Sequence, residues 1–368
     1  MSKAAELAAL IGSQSALSNR NLIINGAMQV AQRGTSSSGL GASEGYYTVD
    51  RFQLGVGGTA TAGRLTMSQD SDAPDGFGSC VKLACTTADT SIAADENLRL
   101  LTVLEGQNLQ AFKKGAANAE SMTLSFYVKG NASATYVIEL YDADNARHIC
   151  STFSVTTSWQ RVEITFDGDT TGAFGNDNGG SLRLHFWLHA GSNYNSGTLA
   201  TSWAANNNNN RAVGADSFYD STSRTFQITG VQLELGETAT PFEHRSYGDE
   251  LARCQRYYYA HADGRRGMDE GIGIGTYYSA SAIYVGIHPP VTMRATPSLE
   301  TTNATNHYFA FRDSAADHFD TFSISGGKTP DYFELEGTGN VAGTAGQGCF
   351  LRLGGTSSSA RIMFDAEL

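Results

Sequence analysis

Four residues carry the most suggestive chemistry in this chain. Tyr194, Trp203, Asn206 and Asn208 stand together in one polar stretch. An aromatic face gives the C–H patch of a pyranose ring something flat and apolar to lie on, and a neighbouring amide hydrogen-bonds its hydroxyls. Together they describe a sugar platform. Trp159 and Trp187 have the same chemistry but fall in strand-like runs, so both are expected in the core. A second group offers hard oxygens. Asp142 and Asp144 lie in an Asp-Ala-Asp-Asn turn, and Asp167 and Asp169 open a Gly-rich stretch. Such carboxylates suit a structural calcium ion, although the Gly and Glu of a helix-loop-helix calcium loop are missing. Asp and Asn are also ordinary turn residues.

Other motifs carry less. Gly41-Ala-Ser43-Glu-Gly45 matches G-x-S-x-G, but a Gly/Ser loop precedes it and a strand-like Tyr-Tyr-Thr-Val follows, the wrong setting for a nucleophile elbow. Gly337-x-Gly339-x-x-Ala342 lacks the helix that a dinucleotide loop requires and reads as a hairpin loop. His185 and His189 lie four apart on a strand, which separates them by about 13 Å, too far for one metal. The five cysteines, odd in number and scattered without zinc spacing, read as buried thiols of a protein made in a reducing bacterial cytoplasm, and no signal peptide is recognisable. No carboxylate pair stands out for glycoside cleavage, whose geometry is spatial. The chain is read as non-enzymatic.

The elements that must hold these residues are strands. Of 368 residues, 41 are Gly, only 6 are Pro, and 17% are charged, a composition that favours many short strands joined by turns. The net charge of −12 argues against nucleic acid and anionic lipid as partners, while a neutral glycan stays compatible. No apolar run is long enough for a membrane helix, so no membrane insertion is expected. Leu7, Leu10 and Ile11 mark a short N-terminal helix that must dock on something. Strands are expected at Asn21–Ala27, Tyr46–Leu54, Arg64–Ser68, Ser79–Cys85, Leu98–Leu104, Met122–Lys129, Tyr136–Tyr141, Ile149–Val155, Trp159–Phe166 and Leu182–His189, with a Gly/Ser loop at Thr35–Gly45. Phe226–Leu235 closes this region, its alternation slipping at Gly230, where a bulge would keep both halves facing the core. The loops Asp167–Gly180 and Ala190–Tyr219 are too polar to be core. Ser246–Ala260 reads as a helix opened by a Ser246/Asp249 capping pair, and a second set of strands runs from Gly271 to Phe364. The expected fold is all-β: a jelly-roll-like β-sandwich plus a smaller C-terminal β-domain, with a short N-terminal helix and one connecting helix. The boundaries are 1–19, 20–245, 246–262 and 263–368.

Three strings also resemble a known family. "SNRNLIINGAMQVAQRGTS…YYTVDRF", "ITGVQLELGETATPFEHRSYGDELARCQRYY" and "PPVTMRATPSLE" resemble segments of bacteriophage tail-fibre and other virion surface proteins that contain a carbohydrate-binding-like sandwich. The resemblance implies a virion protein, a homotrimer, contacts to other virion proteins through the N-terminal helix, and adhesion to a host surface glycan. Tyr257, Tyr258, Tyr259, Tyr277 and Tyr278 are the expected subunit interface. A capsid decoration or tail adaptor without sugar binding, and a glycan-cleaving tailspike, are the alternatives.

Overall fold

The structure is a computed structural model that describes residues 19–58, 62–267, 269–313, 315–354 and 359–368. The expected N-terminal helix, 1–19, lies outside the described residues apart from Asn19. The chain divides into two compact units, Met1–Glu250 and Leu251–Leu368.

The first unit is a sandwich of antiparallel strands. In chain order they are β1 (Ser36–Leu40), β2 (Gly45–Tyr46), β3 (Gln53–Gly57), β4 (Arg64–Asp70), β5 (Cys80–Thr87), β6 (Asn97–Glu105), β7 (Met122–Gly130), β8 (Ala134–Asp142), β9 (Arg147–Val155), β10 (Gln160–Phe166), β11 (Gly180–Ala190), β12 (Ala204–Ala205) and β13 (Thr225–Leu235). One sheet has the order β1-β4-β5-β13-β7-β10 and the other β12-β9-β8-β11-β6-β3-β2. Period-two alternation decides what lies between them. Leu124, Phe126 and Val128 of β7 and Phe226, Ile228, Val231 and Leu233 of β13 meet Tyr136, Ile138 and Leu140 of β8 and Leu184, Phe186 and Leu188 of β11. Phe126 meets Phe153 and Phe186 edge-on, with centroids 5.2 and 5.3 Å away, which ties the layers together.

The slip in β13 is a bulge. Its pairing with β7 shifts between Thr229 and Gln232, and Gly230 has φ 63°. A Cβ there would come within 2.7 Å of the Phe77 ring, so glycine serves both the left-handed backbone and the close approach. Because of the bulge, Ile228 and Val231 both reach the core.

Three local expectations are corrected. Asn21–Ala27 is a turn, because Asn25 adopts φ 60° and its amide bonds both the N–H and the carbonyl of Val30. The Gly/Ser stretch contains β1, which pairs with β4. Trp159 is only half-buried, with its Nε1 donating to Asp72 Oδ1 at 3.3 Å.

The loop Ala190–Tyr219 is also more than a polar excursion. It begins with the single-turn helix α1 (Ser192–Asn195) and covers a small apolar cluster of Val137, Cys150, Trp187, Ala190, Ala200 and Ala212. The backbone N–H of Cys150 donates to Ala200 O, and that of Ala212 to Tyr194 O.

Helix α2 (Tyr247–Gln255) begins with the expected cap: Ser246 Oγ accepts from Asp249 N at 3.2 Å and donates to Asp249 Oδ2 at 2.7 Å. It stops short of the expected Ala260, because the tyrosine run prefers a strand. The second unit comprises β14 (Tyr258–Asp263), β15 (Gly271–Ser279), β16 (Ala282–Ile287), β17 (Ser298–Thr301), β18 (Tyr308–Arg312), β19 (Ala315–Phe319), β20 (Thr321–Thr329), β21 (Tyr332–Thr338), β22 (Gly348–Leu353) and β23 (Arg361–Asp365). They form the sheets β14-β23-β17 and β19-β18-β22-β15-β16-β21-β20. The expected tyrosine interface is corrected here: Tyr257, Tyr258 and Tyr277 are buried within the unit, and of the five only Tyr278 is largely exposed, at 75%. All five cysteines are buried, and no disulfide joins them among the described residues. Among the described residues no helix is long and apolar enough to cross a membrane.

Candidate functional site

The residues with unusual chemistry gather on the face of the second sheet that points away from the core. Register places them in rows. Gly55 of β3, Arg99 of β6, Trp187 of β11 and Val137 of β8 make one row. Leu101, His185, Glu139 and Cys150 make the next. Val103, Arg183, Tyr141 and His148 make the third.

Glu139 is the hub. It is fully buried and its carboxylate accepts five hydrogen bonds. His148 Nδ1 lies 3.0 Å from Oε1, and His185 Nδ1 lies 2.7 Å from Oε2. Trp187 Nε1 donates to Oε2 at 2.9 Å. Arg211, from the covering loop, binds side-on, Nε to Oε1 at 2.7 Å and Nη2 to Oε2 at 2.8 Å. Burial pushes the Glu139 carboxyl up, but the bonds from His148 and His185 and the Arg211 charge outweigh it and hold the group well below the usual carboxylate range. Burial is also the first cause at His185, whose pKa is pushed down to about 4. His185 therefore donates from Nδ1 in its neutral form.

Glu139, His148 and Cys150 also place three potential metal-ligand atoms within 4.8 Å of one another. The carboxylate, however, is already neutralised by Arg211, and burial pushes the Cys150 thiol far above its ordinary value. A thiol held protonated and a carboxylate saturated with donors make a poor metal site.

Aromatic rings and guanidinium groups lie over the hub. The Arg211 guanidinium sits 5.0 Å from the centroids of both Tyr141 and Trp187. Arg99 lies 5.1 Å from the Trp187 ring on the sheet surface, and its Nε donates to Asn97 Oδ1. A Cβ on Gly55 would come within 2.7 Å of Leu101 Cδ2, while two Arg99 nitrogens would stand at an ordinary contact distance of 3.4 Å. Tyr194 packs on Trp187 at 5.2 Å.

The expected sugar residues separate. Tyr194 joins the Trp187 cluster, half-buried. Trp203 belongs elsewhere: its Nε1 donates to Asp167 O at 2.7 Å and its ring lies under the Lys114 ammonium at 5.5 Å. Asn206 and Asn208 are exposed. Asn206 is tied through its backbone N–H to Ala146 O, and Asn208 Oδ1 accepts from Arg211 Nη1 at 3.4 Å.

The aspartates meet in part, around a lysine. Lys114 Nζ lies 2.6 Å from Asp142 and 3.0 Å from Asp169, and it donates to Thr171 O and Gly172 O, each at 2.8 Å. Two carboxylates and two carbonyls thus surround a buried ammonium, in the kind of oxygen cage a calcium ion would use. Asp144 instead accepts from Gly175 N, and Asp167 contributes only its carbonyl to Trp203. Of the four aspartates, Asp142 and Asp169 thus converge, with the Lys114 ammonium between them.

The sequence concealed Glu139, Arg99, Tyr141, Arg183 and Arg211. The available signal was Val137-Ile-Glu-Leu-Tyr141, where Glu139 and Tyr141 alternate with two core residues and so had to share the outer face. A further Ser-His-Glu line, Ser217 Oγ to His189 Nδ1 at 2.8 Å and His189 Nε2 to Glu96 Oε2 at 3.5 Å, is buried at His189 and Glu96. Its Ser217 oxygen also accepts from Tyr219 N, so it caps a turn.

No protein-family model matches the chain, and no curated protein matches it. Among solved structures it is similar to the enzymatically active domain of bacteriophage CBA120 tailspike protein 4, at 12% identity and TM-score 0.31, over 59% of this chain and 21% of that one. The chain thus spans about a fifth of that tailspike's length. It is also similar to a xylan-binding domain from Paenibacillus barcinonensis, at 12% identity and TM-score 0.26, over 50% of this chain and 87% of that one. A family 11 carbohydrate-binding module of a Clostridium thermocellum cellulase matches at 14% identity and TM-score 0.27, over 56% of this chain and 98% of that one. Likenesses this distant carry no inference about ligand or partner.

Proposed function

We propose that this chain is an adhesion protein whose sandwich binds a cell-surface glycan, as part of a phage virion surface fibre. The observation that carries the proposal is a strip of half-buried and exposed side chains, Tyr194, Arg99, Tyr141 and Arg183, held on the outer face of a rigid sheet. The buried Glu139–Arg211 pair fixes the loop that supplies Tyr194, so the strip is ordered before any ligand arrives. Rings beside planar donors suit pyranose faces and hydroxyls. The test is a glycan array with the purified chain, repeated with Tyr194→Ala. Binding that Tyr194→Ala weakens supports the proposal, and an array without any bound glycan defeats it. A reducing-end assay on the bound glycan separates adhesion from cleavage.

The second unit favours self-association, which the fibre proposal includes as a homotrimer. Ile274, Phe350 and Phe311 are exposed at 75, 60 and 43%. Phe350 pairs with Ile274 on one side and Phe311 on the other, so the three form one continuous apolar row across β15, β22 and β18. A contiguous exposed row of this kind suits a subunit contact. Three weak glycan sites on one particle would then act together.

A further inference from the structure

The outer face of the second sheet is basic on a chain whose net charge is −12. Arg99, Arg183 and Arg211 all project from it or lie over it, and the carboxylate among them, Glu139, is buried and taken up by Arg211. Arg183 is exposed and makes no ion pair among the described residues. Arg99 is half-buried, bonded through Nε to a neutral amide and lying on the Trp187 ring, with no carboxylate salt-bridged to it among the described residues. Their rows place Arg99 and Arg183 about 13 Å apart along the sheet, on either side of the buried row that holds His185 and Glu139.

We propose that this strip takes a carboxylated saccharide, a uronate or sialate, with a sugar ring on Tyr194 and carboxylates paired to Arg99 and Arg183. The proposal rests on the glycan reading above and names the ligand class of the same site. A neutral sugar would use these guanidinium groups only as hydrogen-bond donors. A carboxylate matches their planar fork with two parallel charge-assisted bonds. The surroundings of Arg99 point the same way. Burial first, and then the Arg211 charge, make its positive charge costly to hold, while Glu139 and the exposed Glu44 compensate in part. An arriving anion relieves that cost.

The experiment is titration calorimetry of the full chain against polygalacturonate, alginate and polysialate. The same polymers with their carboxylates reduced to alcohols form a second arm, and neutral galactan, glucan and xylan a third. The expected result is binding to at least one native acidic polymer, weakened tenfold or more by reduction of its carboxylates. Arg183→Gln, on an exposed side chain, is expected to weaken binding about tenfold and to flatten its salt dependence. A reduced or neutral polymer bound as tightly as any native acidic one overturns the acidic assignment and leaves the glycan reading standing. Binding unchanged in both Arg183→Gln and Arg99→Gln overturns the assignment to this strip. Failure to bind any polymer in the three arms defeats both.

Discussion

Arg211 and Glu139 meet side-on across about seventy residues of chain, with Nε to Oε1 at 2.7 Å and Nη2 to Oε2 at 2.8 Å. Glu139 lies fully buried on a central strand, while Arg211 belongs to the loop that closes over it. One bidentate pair thus couples the rigid sheet to its least regular segment.

Removing the cation leaves a buried carboxylate without its counter-charge. Arg211→Met is expected to destabilise the first unit by about 3 to 5 kcal/mol. The loop should become sensitive to limited proteolysis near the Asn run, and the emission of Trp187, which packs under Arg211, should shift. Denaturant melts and protease mapping check this. A variant as stable and as resistant as the parent would show that the pair does not hold the loop.

The same hub predicts acid lability. His185 sits at about 4 when folded against an ordinary 6.5. A depressed imidazole contributes its full stability above the unfolded value and loses it as pH falls from 6.5 toward 4, about 3 kcal/mol in all. Glu139 is also depressed, so its contribution holds above the ordinary carboxylate value and disappears as pH falls through the folded one. Melting temperature measured by calorimetry should be flat above pH 7 and fall steadily below pH 6.5. His185→Gln should remove the upper part of that slope. A parent melting temperature that stays level down to pH 4 contradicts the assignment.

Lys114 sits where two carboxylates and two carbonyls would welcome a divalent ion. Lys114→Ala is expected to cost about 3 kcal/mol by leaving the buried Asp142 without its cation, while Asp169 keeps Arg147. Millimolar calcium should restore part of that loss, and should leave the parent unchanged. Paired melts with calcium or a chelator read both, and a parent strongly stabilised by calcium would show that Lys114 is not the resident cation.

The apolar row of the second unit has its own consequence. Phe350→Asp puts a charge at the centre of Ile274, Phe350 and Phe311 without disturbing the core. Sedimentation should find the parent as a trimer and this variant as a monomer. A parent that sediments as a monomer at all concentrations refutes the role given to the row.

Much of the fold was legible because strand alternation is local. The sandwich, the bulge at Gly230 and the strand at Met122–Lys129 follow from which neighbours are apolar. The errors have physical causes. Asn25 turns the chain where hydrophobicity suggested a strand, through a left-handed backbone that its own amide supports. The tyrosines after Gln255 looked like surplus for an interface because the partners that bury them come from strands far along the chain, among them β23.

The candidate site was less legible. Tyr194 was singled out for its chemistry, but Trp203 shared that chemistry and folds into another cluster. Of the four aspartates named for calcium, Asp142 and Asp169 meet at Lys114, and that lysine lies well away from both in sequence and carries no motif.

By itself the sequence determined an all-β chain and which side of each strand faces the core, since a period of two is written into consecutive residues. Only the tertiary structure decided that Glu139, His148 and His185 would be buried rather than solvated. On their strands they occupy outward positions that water would ordinarily fill, and it is the distant loop carrying Arg211 that excludes the water and turns those polar residues into a buried hub.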